Sequence, residues 1–232
     1  MFENVSHLLF DLDDTLWDCA GNSVLSLRTL YNRHRLSDHF ESFDSFNAIY
    51  QHINDELWGA LPDSGMTVAE VRVKRFEETL NAVGLRGEEY GAVMNDEYMR
   101  LMVKCPGTMP DAVEVVKDLS QRYKIEIITN GIDDVQRGKL AACGIEQYVN
   151  NIFVSDKMGA MKPKREYFSK VMETLGCTKT ECLVIGDNPK TDIKGAEDFG
   201  LMAIWYNWRH MPENDCQCEA VIYDLRRLCD IL

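Results

Sequence analysis

Short apolar runs recur along this chain, each ending in a polar cluster: Val5–Phe10, Ile125–Ile128, Ile152–Val154, Leu183–Ile185 and Met202–Trp205. Consecutive rather than alternating apolar positions predict strands buried on both faces. Between the runs, apolar residues repeat at intervals of three and four, as in Ala112, Val115, Val116, Leu119 and Tyr123, and again in Tyr167, Phe168, Val171, Met172 and Leu175. That period predicts helices, with Asp111 placed to cap the first and Gly176 to stop the second. Strand and helix alternate from about residue 105 to the end. Such alternation predicts an α/β domain, a parallel sheet with helices on both faces whose ligands bind at the carboxyl ends of the strands.

The stretch from Trp17 to Lys104 breaks this alternation. It has no strand pattern and reads as four amphipathic helices centred on Leu25–Tyr31, Phe43–Leu57, Val68–Leu80 and Tyr90–Met102. The expected organisation is a core of residues 1–16 and 105–232 with an all-helical cap domain, 17–104, inserted after the first strand. Gly and Pro punctuate both junctions, near Asp18–Gly21 and at Cys105-Pro106-Gly107. A helical lid of this kind excludes water and adds substrate contacts.

At 232 residues the chain suffices for one large domain or one domain with an insertion. Its 25 Lys and Arg against 38 Asp and Glu leave a formal charge of −13, which argues against a nucleic-acid polymer or an anionic membrane as partner. A small anionic ligand remains compatible where a metal ion reverses the local sign. No apolar run approaches the ~18 residues of a membrane span. Met1-Phe2-Glu3-Asn4 lacks the basic start of a signal peptide, so the expected location is cytoplasmic. Eight scattered cysteines are then expected to be reduced, and Cys216-Gln217-Cys218, with His210 and Cys229 nearby, lacks zinc-knuckle spacing. Oligomeric state has no signature here.

Four segments follow predicted strands on one edge of the sheet. They are Asp11-Leu12-Asp13-Asp14-Thr15, Thr129-Asn130-Gly131, Lys162-Pro163, and Gly186-Asp187 with Asp192 beyond it. Singly, each has an ordinary reading: a solvated acidic loop, a turn, a surface lysine, a helix cap. In this order and spacing they resemble the four motifs of the haloacid dehalogenase superfamily, and the insertion after the first motif resembles its helical-cap subclass. Val73-Lys74-Arg75-Phe76, Tyr123-Lys124-Ile125 and Gly186-Asp187-Asn188 are similar to the branch of pyrimidine 5′-nucleotidases. The resemblance implies a Rossmann-like core and a phosphate-ester hydrolase.

Elementary chemistry leads the same way. A carboxylate can attack phosphorus and split one displacement into two, and Asp11 is the candidate nucleophile. Asp13, two residues on, can protonate the leaving oxygen and later deprotonate a water, provided it is protonated for the first step. Asp11, Asp13 and Asp187 gathered in one place would repel one another and a phosphate, so the site needs a cation, and oxygen-only ligands favour Mg2+. By resemblance its ligands are the Asp11 carboxylate, the Asp13 main-chain carbonyl and the Asp187 carboxylate, with Asp192 orienting the metal's waters or Lys162. Thr129 and the N–H of Asn130 supply donors to the phosphoryl oxygens, and Lys162 supplies charge.

The expected activity is therefore Mg2+-dependent hydrolysis of small phosphate monoesters, nucleoside 5′-monophosphates among them, through an aspartyl phosphate. A phosphomutase would differ only in its acceptor. A 2-haloacid dehalogenase has no need of Asp13 or Asp187, and a phospho-receiver module has no helical insertion. In the cap, Arg72, Lys74 and Arg75 read as a solvated basic face. Trp17, Trp58 and Trp205-Tyr206-Asn207-Trp208 read as packing rather than base-stacking groups.

Overall fold

The computed structural model describes residues 2–213 and 217–232. Contacts divide the chain into two compact units, one holding the residues up to Cys19 together with Cys105–Leu232, the other Ala20–Lys104.

The first unit is built on a six-stranded sheet: β1 (His7–Phe10), β2 (Lys124–Thr129), β3 (Asn151–Val154), β4 (Cys182–Gly186), β5 (Met202–Tyr206) and β6 (Ala220–Ile222). Every neighbouring pair is parallel, in the order β3-β2-β1-β4-β5-β6. The chain moves outward from β1 to β3 and then returns to lay β4 on the other side of β1. The ends of β1 and β4 therefore flank the point where strand order reverses, the place where open α/β sheets open a crevice. Helices α5 (Ala112–Leu119), α6 (Asp133–Cys143), α7 (Ser155–Met158), α8 (Arg165–Leu175), α9 (Lys194–Phe199) and α10 (Arg227–Ile231) cover the faces. Leu9, Ile128, Val184, Ala203 and Trp205 form one core with Tyr167, Phe168 and Val171 of α8 and Ala196 and Phe199 of α9. The alternate residues Leu8, Phe10, Ile127, Leu183, Ile185 and Ile204 are equally buried and turn to the opposite side of the pleat. Full burial on both faces is why these strands read as unbroken apolar runs.

Some expectations change. Strand β6, the apolar triplet Ala220–Ile222, is not among the strands expected from the sequence. Asp111 stands at the N-cap of α5, its carbonyl accepting from the Val115 N–H at 2.9 Å, but with a left-handed φ of 60° and no side-chain capping bond; its carboxylate pairs with Arg226 at 2.5 Å. Gly176 does close α8, in the left-handed conformation with φ 65°. Trp17, expected at the start of the insertion, belongs to the first unit, where it is fully buried and donates from Nε1 to Cys105 O at 3.0 Å. Trp205 is also core, whereas Trp58 and Trp208 are half-buried.

The second unit comprises α1 (Cys19–Arg33) for all but its first residue, α2 (Phe43–Ser64), α3 (Val68–Asn81) and α4 (Gly87–Met102). Ser42 caps α2 by accepting from the Ser45 N–H, and Thr67 with Glu70 forms a reciprocal capping box on α3. Its core is aromatic: Tyr31, Phe40, Phe43, Phe46, Tyr50, Phe76 and Tyr98 lie in a chain of ring contacts 5.0–6.4 Å apart. The basic face expected on α3 is not solvated. Arg72 and Arg75 are buried, and the Arg75 guanidinium lies 4.8 Å from the Tyr98 ring while donating to Asn54 at 3.1 Å. Only Lys74 of the three stands out in solvent, paired with Glu78 at 3.2 Å.

The seven described cysteines are free, and Cys216 lies outside the described residues. No described helix is long and apolar enough to cross a membrane.

Candidate active site

The carboxyl edge of the sheet gathers the four polar segments. Asp11 follows β1 directly and is tied to β4 by its N–H, which donates to Ile185 O at 2.8 Å. Lys162, brought in by the loop before α8, is buried and donates to three acceptors: Asp11 Oδ1 at 2.6 Å, Asp192 Oδ1 at 2.7 Å and Ile128 O at 2.9 Å. Three acceptors use all three ammonium hydrogens. The backbone beneath it is fixed by a reciprocal pair, Lys162 N–H to Asn130 Oδ1 at 2.8 Å and Asn130 Nδ2 to Lys162 O at 2.9 Å. The Asn130 side chain thus locks the Lys162 loop to the end of β2.

Asp187 follows β4. Its N–H donates to Thr15 Oγ1 at 3.0 Å, and its carbonyl accepts from Trp205 Nε1 at 2.9 Å. Its Oδ2 meets Arg209 Nη1 at 2.5 Å, and Arg209 Nη2 reaches Asp14 Oδ2 at 2.6 Å. Thr15 Oγ1 stands between the two acids, 3.2 Å from Asp11 Oδ2 and 3.5 Å from Asp187 Oδ1. Asp192 sits in a turn of π-helix, Pro189–Ile193, capped by Asn188, whose own N–H donates to Asp192 Oδ2 at 3.1 Å. Gly186 makes this approach possible: a Cβ there would lie 2.4 Å from Asp192 Oδ2.

One carboxylate oxygen each from Asp11, Asp187 and Asp192 fall within 4.8 Å of one another, all three residues buried. The sequence reading set Asp192 behind the metal ligands; here it joins the cluster while also holding Lys162. Asp13 takes a different direction. Its two oxygens accept from Lys139 Nζ at 2.6 Å and Gln136 Nε2 at 3.0 Å, and Gln136 Nε2 also donates to Thr129 Oγ1 at 2.6 Å.

The electrostatics follow from burial. Burial pushes Asp11 well above the usual carboxylate range, with Lys162 opposing and Asp192 and Asp187 adding to the rise. Burial, then the charge of Asp192, lifts Asp187 to about 7 against the pull of Arg209. On Lys162 burial disfavours the charge, but Asp11 and Asp192 outweigh it and hold the ammonium firmly protonated. Three crowded carboxylates with oxygen-only donors suit a hard divalent cation, which would offset both the burial and the mutual repulsion that raise Asp11 and Asp187. Beside it stand a carboxylate able to act as nucleophile, a second carboxylate, a hydroxyl and a fixed positive charge, the components of group transfer at phosphorus.

Thr15, Gln136, Lys139 and Arg209 were not singled out from sequence. Gln136 and Lys139 share one helical face three residues apart, a spacing visible in the sequence but unlinked there to Asp13.

Residues 5–200 match the model of the haloacid dehalogenase-like hydrolases. HAD-hydrolase YfnB of Bacillus subtilis is 32% identical over 95% of this chain and 91% of its own. A crystal structure of YfnB bound to magnesium superposes with a TM-score of 0.90, covering 99% of each chain at 31% identity. Pyrimidine 5′-nucleotidase PynA of Streptococcus pneumoniae is 29% identical over 97% of this chain and 94% of its own. L-2-haloacid dehalogenase from Xanthobacter autotrophicus, with chloropropionic acid covalently bound, has a TM-score of 0.74, covering 98% of each chain; at 19% identity this likeness concerns the fold alone.

Proposed function

The chain belongs to the haloacid dehalogenase-like hydrolases, and from that premise we propose that it is a Mg2+-dependent phosphatase of small phosphate monoesters, nucleoside 5′-monophosphates foremost. The observation that carries the reading is the buried cluster of Asp11, Asp187 and Asp192 beside Lys162. Halide displacement from carbon has no use for so much negative charge, whereas a phosphoryl group bound through a divalent cation does. PynA, similar along nearly its whole length, supports the nucleotide class.

Asp11 attacks phosphorus, the P–O bond to the leaving group breaks, and Asp13 delivers a proton to the departing oxygen. Asp13 then takes a proton from water, whose oxygen attacks the aspartyl phosphate; the bond between phosphorus and Asp11 breaks and inorganic phosphate leaves. Thr129 Oγ1 and the Asn130 N–H donate to the phosphoryl oxygens. Lys162 keeps Asp11 oriented and neutralises part of its charge, and Asp192 holds Lys162 in place. The Asp11 carboxylate, the Asp13 main-chain carbonyl and the Asp187 carboxylate would hold Mg2+, which supplies charge neutralisation for the phosphoryl oxygens when bound. In this reading the core is residues 1–19 and 105–232, the cap 20–104 selects the ester, and the enzyme works in the cytoplasm, consistent with the seven described cysteines being free.

Phosphate release from a panel of pyrimidine, purine and hexose monophosphates, with Mg2+ or EDTA, tests this. Release that requires Mg2+ and disappears in Asp11→Asn is the expected result. Isomerised ester in place of free phosphate would mark a mutase, and no turnover of any ester by folded protein would overturn the phosphatase reading.

A further inference from the structure

Two buried side chains stand behind Asp13 without a part in the steps above. Lys139 is 4% exposed and Gln136 fully buried, whereas the Asp13 side chain keeps 31% of its surface. Each donates to a different oxygen of that carboxylate, Lys139 Nζ to Oδ1 at 2.6 Å and Gln136 Nε2 to Oδ2 at 3.0 Å. Lys139 also lies 4.4 Å from the centroid of the buried Trp17 ring, and Gln136 Oε1 is buried with no hydrogen-bond partner. Burying an ammonium and leaving an amide oxygen unsatisfied are both costly, and an apolar pair would fill the inner face of α6 at less expense in stability. Packing alone does not account for them.

We propose that Lys139 and Gln136 are positioning residues for Asp13. A carboxylate is planar, so a donor on each of its two oxygens fixes that plane, and with it the direction in which Asp13 meets the leaving oxygen and the attacking water. Gln136, bonded to Thr129 Oγ1 as well at 2.6 Å, sets the carboxylate against the phosphate-binding hydroxyl. The inference rests on the reading of Asp13 as the proton carrier.

Proton delivery matters most for a poor leaving group, which gives the test its contrast. Lys139→Met is expected to lower kcat on a nucleoside monophosphate by about 10- to 100-fold, part of the contribution ordinarily made by general acid–base catalysis. KM should stay within about threefold, since ground-state binding is untouched. On p-nitrophenyl phosphate, whose leaving group needs little protonation, the loss should be only a few-fold, and Lys139→Arg should restore most of the rate on both. In an Asp13→Asn background Lys139→Met should cost nothing further, because both act through one group. Gln136→Met, which also frees Thr129 Oγ1, is expected to raise KM besides lowering kcat, so Lys139→Gln, which keeps a donor without the charge, is the substitute if Lys139→Met does not fold: the same contrast between the two esters is expected, and equal losses on both would overturn the proposal. Equal losses on both esters, or a full further loss in the Asp13→Asn background, would overturn the proposal. Asp13→Asn at the wild-type rate overturns the reading of Asp13 itself, and this inference with it.

Discussion

Lys162 shows how tightly single residues are committed here. Its ammonium is buried with Asp11, Asp192 and the Ile128 carbonyl as acceptors, so Lys162→Met leaves two buried carboxylates without their counter-charge. Breaking one side of a buried pair costs about 3–5 kcal/mol, and a loss of that order in urea unfolding of the EDTA-treated protein is expected. Lys162→Arg should recover little, since a planar fork cannot replace a point charge with three converging acceptors. A metal-free variant as stable as wild type would show that the ion pairs do not hold this edge together. Asp11, Thr129 and Asp187 were legible in the sequence because each lies at or just beyond an apolar run, and Lys162 because Lys162-Pro163 falls in order between the second and fourth of the polar segments. Lys139, Gln136 and Arg209 were not, because the first two come from a helix whose inner face reads as core and the third from an aromatic loop. Nothing local marks a buried charge as paired when its partner is more than a hundred positions away, as Asp13 is from Lys139.

At the level of elements, the turn joining β4 to α9 is the most constrained piece. Gly186 ends β4 where Asp192 folds back over it, and a methyl group there would meet Asp192 Cβ at 2.6 Å as well as its carboxylate. Gly186→Ala is expected to displace Asp192 and lower stability by about 1–3 kcal/mol, the usual cost of overpacking. Thermal unfolding checks the figure, and an unchanged midpoint would mean that the turn yields freely. The strands were readable since burial on both faces leaves a continuous apolar signature, but β6 has only Ala220–Ile222 and emerged only from its pairing with β5. Helix α2, whose centre the apolar period places at Phe43–Leu57, runs on to Ser64 and ends at Gly65 with φ 71°. The helical period of Arg72 and Arg75 was visible, whereas the burial of Arg75 depends on aromatic rings supplied by α2 and α4.

The whole molecule should register its acidic cluster as a pH-dependent stability. Burial lifts Asp187 from an ordinary value of 3.8 to about 7, and lifts Asp11 in the same direction. A carboxyl that binds its proton more tightly in the folded state makes that state hold more protons than the unfolded chain between those two values. Stability is then greatest below the unfolded value and falls as pH rises toward the folded one. Each tenfold in proton affinity is about 1.4 kcal/mol, so Asp187 alone accounts for a few kcal/mol between pH 4 and 7. Glu70, Glu97 and Glu181 are held below their ordinary value by bonds from Thr67, from Arg33 and His34, and from Thr178, and so act oppositely, but their window lies below about pH 4.5. With EDTA, the unfolding midpoint should therefore drop between pH 5.5 and pH 8, by about 2–4 °C per kcal/mol for a chain of this size. Mg2+ binds only the native, ionised cluster, so millimolar ion should raise the midpoint more at pH 8 than at pH 5.5 and flatten the profile. Asp187→Asn, uncharged at every pH, should reduce the slope of the EDTA profile to the part owed to Asp11 and lose most of the response to Mg2+. Scanning calorimetry of both proteins at the two pH values decides it: a wild-type midpoint that rises from pH 5.5 to pH 8 in EDTA would mean that the burial of these carboxylates does not govern the pH dependence of this fold's stability.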